Sequence, residues 1–141
     1  MQQADRTVLI SIQPRYAEKI LTGEKVLEFR RVWGASAVDT LVIYSSSPVQ
    51  RIVAIARIKE VHTGSPTFLW KLAKEKGGGV SRRQLYEYFR GKPKGFAIEL
   101  DDVQLIARGI DPRAVFPEFR PPQSYYYLDQ EDYGKIKAVI A

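Results

Sequence analysis

Runs of alternating, β-branched residues succeed one another along this chain with few helical segments between them. Thr7–Ile12, Lys25–Arg31, Asp39–Tyr44, Ile52–Val61, Gly95–Leu100 and Val103–Ala107 read as strands, the last two separated by Asp101–Asp102. Helical spacing occurs in only four places. Pro14 suits a first helical turn, Tyr16, Ile20 and Leu21 form a stripe behind it, and Gly23 stands where a left-handed residue would end that helix. Thr67–Lys76 and Ser81–Phe89 form two more. Their apolar faces are Phe68, Leu69 and Leu72 in the first and Leu85, Tyr86 and Phe89 in the second, with Ser81 as N-cap and Gly77–Gly79 as a short link. Asp111–Pro112 turns the chain into an irregular tail, and Asp129–Ile140 closes as a helix. A doubly wound parallel sheet needs helices between all its strands, and this order does not supply them. It predicts an α+β domain, mostly antiparallel or a small barrel, with helices on its flanks.

The 141 residues are 45% hydrophobic, enough for one core, and contain no internal repeat, so a single domain over 1–141 is expected. The absence of cysteine excludes thiol catalysis and thiolate metal sites, and His62 is the single histidine. His62 is expected to end a strand and to pack or cap without a metal companion. No cofactor and no metal is predicted. No run approaches the roughly 20 apolar residues of a membrane span, and Met1–Arg6 has no apolar signal core, so a cytoplasmic protein is expected. The net charge is +6, and residues 61–95 carry eight Lys/Arg against two Asp/Glu, a surplus equal to that of the whole chain. Lys71, Lys74, Arg82, Arg83, Arg90 and Lys92 therefore form the candidate phosphate-contacting surface.

Three other segments carry chemistry. In Lys25–Arg31, a period of two places Glu28 and Arg30 on one face, a carboxylate acceptor beside a forked donor, as reading the edge of a base requires. Lys25 falls on the opposite face unless the strand begins after it. Ser45–Pro48 is a hydroxyl-rich loop behind a core strand, with Ser46 as its candidate ligand. Gln123, Ser124 and Tyr125–Tyr127 offer an amide, a hydroxyl and rings, of which Tyr126 is a candidate for stacking. Trp33, between Arg31 and Gly34, is a candidate exposed platform, whereas Trp70 is assigned to the core.

Ile12–Arg31, with Gly23, Lys25, Glu28 and Arg30 in a Gly-x-Lys-x-x-Glu-x-Arg pattern, resembles the N-terminal signature of ASCH domains, a family within the PUA-like superfold. The likeness continues through Ser45–Pro48, Leu69–Trp70, Tyr88–Gly91 and Pro121–Tyr125. It implies a five- to six-stranded, mostly antiparallel pseudo-barrel with flanking helices and a charged cleft between barrel and helices. It also implies RNA, single-stranded nucleic acid or a nucleoside-like molecule as partner, and a role in RNA metabolism or transcriptional regulation. The expected ligand contacts are Lys25, Glu28, Arg30, Ser46, Gln123, Ser124, Tyr126 and Trp33. Some relatives are hydrolases, one branch cleaving the amide of N4-acetylcytidine with a lysine, a threonine and a glutamate, another described as a ribonuclease. Lys25 matches that lysine, Glu28 stands where the threonine would be, and Glu60 is the nearest candidate for the later glutamate. If the chain is a hydrolase, Lys25 and Glu28 are the catalytic candidates, activating a water.

Overall fold

The computed structural model describes residues 6–35 and 37–140; Met1–Asp5, read above for a leader, lie outside them. In chain order the elements are β1 (Arg6–Ile12), α1 (Pro14–Leu21), β2 (Leu27–Arg30), β3 (Val38–Ser45), β4 (Arg51–Gly64), α2 (Pro66–Lys76), α3 (Arg82–Tyr88), β5 (Gly95–Ile110), α4 (Pro112–Val115), β6 (Tyr125–Leu128) and α5 (Gln130–Ile140). The six strands form one mixed sheet in the order β2-β5-β4-β3-β1-β6. Among the described strands only β1 and β3 run parallel, and the chain between them passes through α1 and the far edge strand β2. The other neighbouring pairs are antiparallel. The sheet does not close, so β2 and β6 remain its two edges.

Alternation along the strands distributes the core. Val8, Ile10, Ile12, Leu41, Ile43, Ile98 and Leu100 pack on one face with Ala17 and Ile20 of α1. Leu9, Val42 and Tyr44 point the other way, toward Ile136 of α5 and Phe119. Leu27, Phe29 and Ala97 meet Leu69, Leu72, Leu85 and Phe89 of α2 and α3. The local signals at the helix ends operate as expected. Gly23 has φ +84°, and the Ser81 hydroxyl accepts from Gln84 N while the Gln84 side chain accepts from Ser81 N, a reciprocal capping box.

Four sequence expectations change. The Asp101–Asp102 break is a bulge inside one strand: β5 is 16 residues long, Asp102 takes φ +49°, and pairing with β4 continues through Gln104 and Leu105. The irregular tail contains β6, which pairs with β1 from Leu128 opposite Thr7 to Tyr125 opposite Ile10. Phe68 is exposed and Trp70 half-buried, because α2 turns Leu69, Leu72 and Ala73 inward. His62 lies within β4, and carboxylates flank it: Nε2 is 2.9 Å from Glu99 and Nδ1 is 3.5 Å from Glu60.

Candidate functional site

Residue 27, where β2 begins, decides how the charged motif is used. Leu27 and Phe29 face the α2–α3 core, so Glu28 and Arg30 point to the opposite side, into a cleft of about 920 Å³. Its walls come from the ends of β1 and β3, from α1 and α3, and from Pro121–Gln123. Glu28 is 7% exposed and takes both contacts of the Arg30 fork on one oxygen: Arg30 Nε donates to Oε2 at 3.1 Å and Nη2 lies 3.0 Å from it. The same guanidinium donates to Ser11 O at 2.8 Å and to Ser124 Oγ at 3.3 Å. Arg30 thereby fastens β2 to β1 and to the distant tail, and Ser124 fixes the guanidinium. It is not among the residues lining the cleft.

Lys25 precedes β2 and so escapes strict alternation. It is 3% exposed, lines the cleft, donates from Nζ to Gly78 O at 2.8 Å, and stands 3.9 Å from Glu28 Oε1. Its ammonium lies 4.7 Å from the Phe29 ring centroid and 5.4 Å from that of Tyr16. Burial pulls the Lys25 pKa down from 10.5 to about 8, the Glu28 charge opposing that drop while Lys19 and Arg30 add to it. The glycine run explains how the lysine is held. Gly77 O accepts from Val26 N, Gly78 O from Lys25 and Gly79 O from Lys19. A side chain on Gly79, at φ +68°, would start 2.8 Å from Lys25 Cβ, so the link between α2 and α3 is a strap that only glycine lets lie this close.

Of the other predicted ligands, Ser46 and Gln123 do line the cleft. Ser46 N donates to Ile12 O in a turn that holds the cis Ser47–Pro48 bond. Trp33 is no exposed platform: it is 7% exposed and packs against Tyr125 with ring centroids 4.7 Å apart and planes tilted by 48°, a cover that β6 supplies. Tyr126 lies on the other face of the sheet, packed with the α5 core, its hydroxyl donating to Arg120 O at 3.2 Å. Glu60 is exposed on β4 and does not line the cleft. Among the basic candidates, Lys71, Lys74, Arg82, Arg83 and Arg90 are exposed and Lys92 is half-buried. Arg83 reaches the cleft, Arg82 lies over the Tyr86 ring at 5.3 Å, and Arg90 pairs with Glu87 at 3.1 Å.

The sequence reading missed Arg15, Gln50 and Tyr88, which also line the cleft. Tyr88 carried a signal: it follows Leu85 by three positions and adjoins Phe89, at the boundary of the apolar stripe. Tyr44 lines the cleft as well, with its ring on Phe119 at 5.2 Å and its hydroxyl buried without a hydrogen-bond partner among the described residues. A second polar group lies apart. Donor atoms of Glu60, His62 and Glu99 lie within 4.8 Å of one another, the arrangement of a small metal site. Lys59 and Lys76 approach Glu99 to 3.8 and 3.5 Å, and the His62 hydrogen bond, more than these lysines, holds the Glu99 carboxyl below its usual range. Both ammonium groups stand at Glu99, Glu60 meets His62, and the cluster has the character of an ion-pair network.

The geometry brings Lys25, Glu28 and Arg30 of the Gly-x-Lys-x-x-Glu-x-Arg pattern together in one cleft, with Gly23 ending α1 outside it, and the profile of the ASCH domain matches residues 10–99. The chain belongs to the ASCH domain family. It is 30% identical over 140 residues to the ASCH domain-containing ribonuclease of Zymomonas mobilis, covering 96% of this chain and 93% of that protein. The crystal structure of ASCH from Zymomonas mobilis superposes with a TM-score of 0.86 at 29% identity, over 96% of each chain. The N-terminal domain of Staphylothermus marinus McrB, at 12% identity and a TM-score of 0.61 over 94% of this chain and 93% of that one, shares the fold alone. The PUA-like architecture implied by the ASCH signature is thus present as an open six-stranded sheet flanked by helices. No helix among the described residues is long and apolar enough to cross a membrane.

Proposed function

We propose that this ASCH domain binds single-stranded RNA, taking one unstacked nucleotide into the cleft while the basic face of α2 and α3 holds the flanking phosphates. The observation that carries this reading is the buried Lys25–Glu28 pair, with the partly buried Arg30 on Glu28, opening on a cleft whose rim includes Arg83 of that basic face. A buried carboxylate and ammonium side by side offer an acceptor and a donor to a base edge. The exposed arginines and lysines provide the salt-dependent attraction that positions a strand without reading it. Labelled single-stranded RNA titrated with the protein should bind with an affinity that falls steeply from 50 to 200 mM salt. An absence of binding at low salt would overturn the reading.

The lowered pKa of Lys25 favours a second reading, in which the same cleft cleaves RNA. The 30% identical relative described as a ribonuclease supports it. About a tenth of Lys25 would be neutral at pH 7, and a neutral amine can accept a proton. In that reaction the amine takes the proton of a ribose 2′-hydroxyl as its oxygen attacks the adjacent phosphorus. The bond from phosphorus to the 5′-oxygen then breaks, leaving a 2′,3′-cyclic phosphate, and the departing oxygen takes a proton from water to become a 5′-hydroxyl, with Arg15 and Arg83 facing the phosphate charge. Glu28 is engaged by Arg30 and carries no hydroxyl, so cleavage of N4-acetylcytidine by a threonine-type attack has no counterpart here. Incubation of labelled RNA with EDTA present should give products at a rate that rises with pH to a plateau above about 8 and vanishes in Lys25→Ala. Intact RNA across that range would leave the protein a binding module.

A further inference from the structure

The charged cluster accounts for a polar floor in the cleft but leaves open what would hold a base flat against it. Four aromatic side chains line the cleft: Tyr16, Phe29, Tyr44 and Tyr88. Phe29 and Tyr44 are 7% and 1% exposed and belong to the cores on either side. The Tyr16 ring already has the Arg15 guanidinium at 4.6 Å and the Lys25 ammonium at 5.4 Å. Tyr88 differs from all three, being 42% exposed. It meets Phe89 with ring centroids 4.9 Å apart and planes at 69°, an edge contact. Its hydroxyl donates to Phe29 O at 3.2 Å, and its own carbonyl accepts from Arg31 at 2.7 Å. The residue is therefore fixed at the phenol and at the backbone while much of its ring stays open, and a ring ordered in advance loses little entropy when a ligand stacks on it.

Besides the Tyr44 hydroxyl, a second polar atom of the cleft is without a hydrogen bond among the described residues. Both Arg30 contacts fall on Glu28 Oε2. Oε1 accepts no hydrogen bond among the described residues, and its 3.9 Å separation from Lys25 Nζ is too long for one. A carboxylate oxygen only accepts, so its partner must bring a hydrogen.

We infer that Tyr88 is the stacking platform of the cleft and that the base resting on it donates an N–H to Glu28 Oε1. The inference rests on the RNA reading above and adds its ligand chemistry: a nucleobase with an unsubstituted N–H on the edge it presents. Stacking on one aromatic ring is sequence-tolerant, so the platform sets affinity, whereas the carboxylate rejects bases alkylated at that edge.

The test is calorimetric titration of wild type, Tyr88→Phe and Tyr88→Leu. The titrants are the four ribonucleoside 5′-monophosphates, the tightest of them with every N–H hydrogen of its base edge replaced by methyl, and an RNA octamer. Tyr88→Phe keeps the ring and should bind the mononucleotide within about threefold of wild type; Tyr88→Leu should weaken binding about tenfold or more, as should the edge methyl on the wild-type protein. Far-UV circular dichroism of Tyr88→Leu separates loss of the platform from loss of the fold, and the methylated ligand tests the carboxylate on unaltered protein. Unchanged mononucleotide affinity in Tyr88→Leu, or equal affinity for the methylated nucleotide, overturns the inference even if the octamer binds. Mononucleotide binding that depends on Tyr88 with no octamer binding overturns the RNA reading instead, and binding of neither removes both.

Discussion

Lys25 shows most clearly how a single side chain ties this fold to its site. An ammonium at 3% exposure is held by one backbone carbonyl, a carboxylate at 3.9 Å and two ring faces, and these only partly replace the water it lost. Its pKa falls from 10.5 to about 8 for that reason. In the window between these values the unfolded chain holds a proton that the folded chain has released, so stability rises with pH there; below pH 8 both states are protonated and the burial penalty is fully present. Relative to Lys25→Met, wild type should gain on the order of 3 kcal/mol between pH 8 and pH 10.5, read from paired urea titrations at the two ends. A flat difference would place the amine in water. Alternation alone was enough to put Glu28 and Arg30 on one face, because both lie inside β2. It left Lys25 open, on the opposite face unless the strand began after it, since the strand's first residue is set by its pairing with β5, beginning at Leu27 opposite Glu99. Trp33 was misread for a related cause: the ring that covers it, Tyr125, lies near the other end of the chain.

At the level of elements, the glycine strap between α2 and α3 does what neither helix does. In the sequence it resembled a short link, and its length was right, but each glycine has its own close neighbour: Gly77 lies against the Glu24 carbonyl, Gly78 against Ala73 and Phe29, and Gly79 against the Lys25 stem. Gly79→Ala should cost about 2 kcal/mol or more, combining a left-handed conformation with a contact that Lys25, pinned at Gly78 O, cannot easily relieve. Gly134→Ala in α5 is the opposite case, since nothing lies within 4 Å of the added carbon and the position is helical. It should stabilise by about 0.5–1 kcal/mol. Thermal unfolding of both variants checks the pair, and equal effects would mean that the strap is not tightly packed. Strands and helices with local signatures were legible: the Ser81 capping box and Gly23 are decided within a few residues. The β6 strand was not, because three tyrosines after two prolines carry no clear period, and the segment becomes a strand only where the edge of β1 supplies partners.

Over the whole molecule, the surplus of positive charge in residues 61–95 turns out to stand beside the Lys25–Glu28–Arg30 motif rather than apart from it. Those residues build α2, the strap and α3, and Arg83 carries the basic face to the cleft. Reversing two charges, Arg82→Glu with Arg83→Glu, should weaken RNA binding and flatten its salt dependence by up to two phosphate contacts, leaving far-UV circular dichroism unchanged. Retention of the full salt slope would move the RNA to another surface. The sequence by itself determined the α+β class, the ASCH signature, the helix ends and the sign of the surface around α3, all properties carried by neighbours in the chain. Only the tertiary structure decided which charges are buried and what they face. Arg30 meets Ser11 and Ser124, Lys25 meets Gly78, and Trp33 meets Tyr125. Desolvation depends on atoms that approach through space, and distant segments supply them here, so the cleft and the lowered lysine pKa arise only when the sheet assembles.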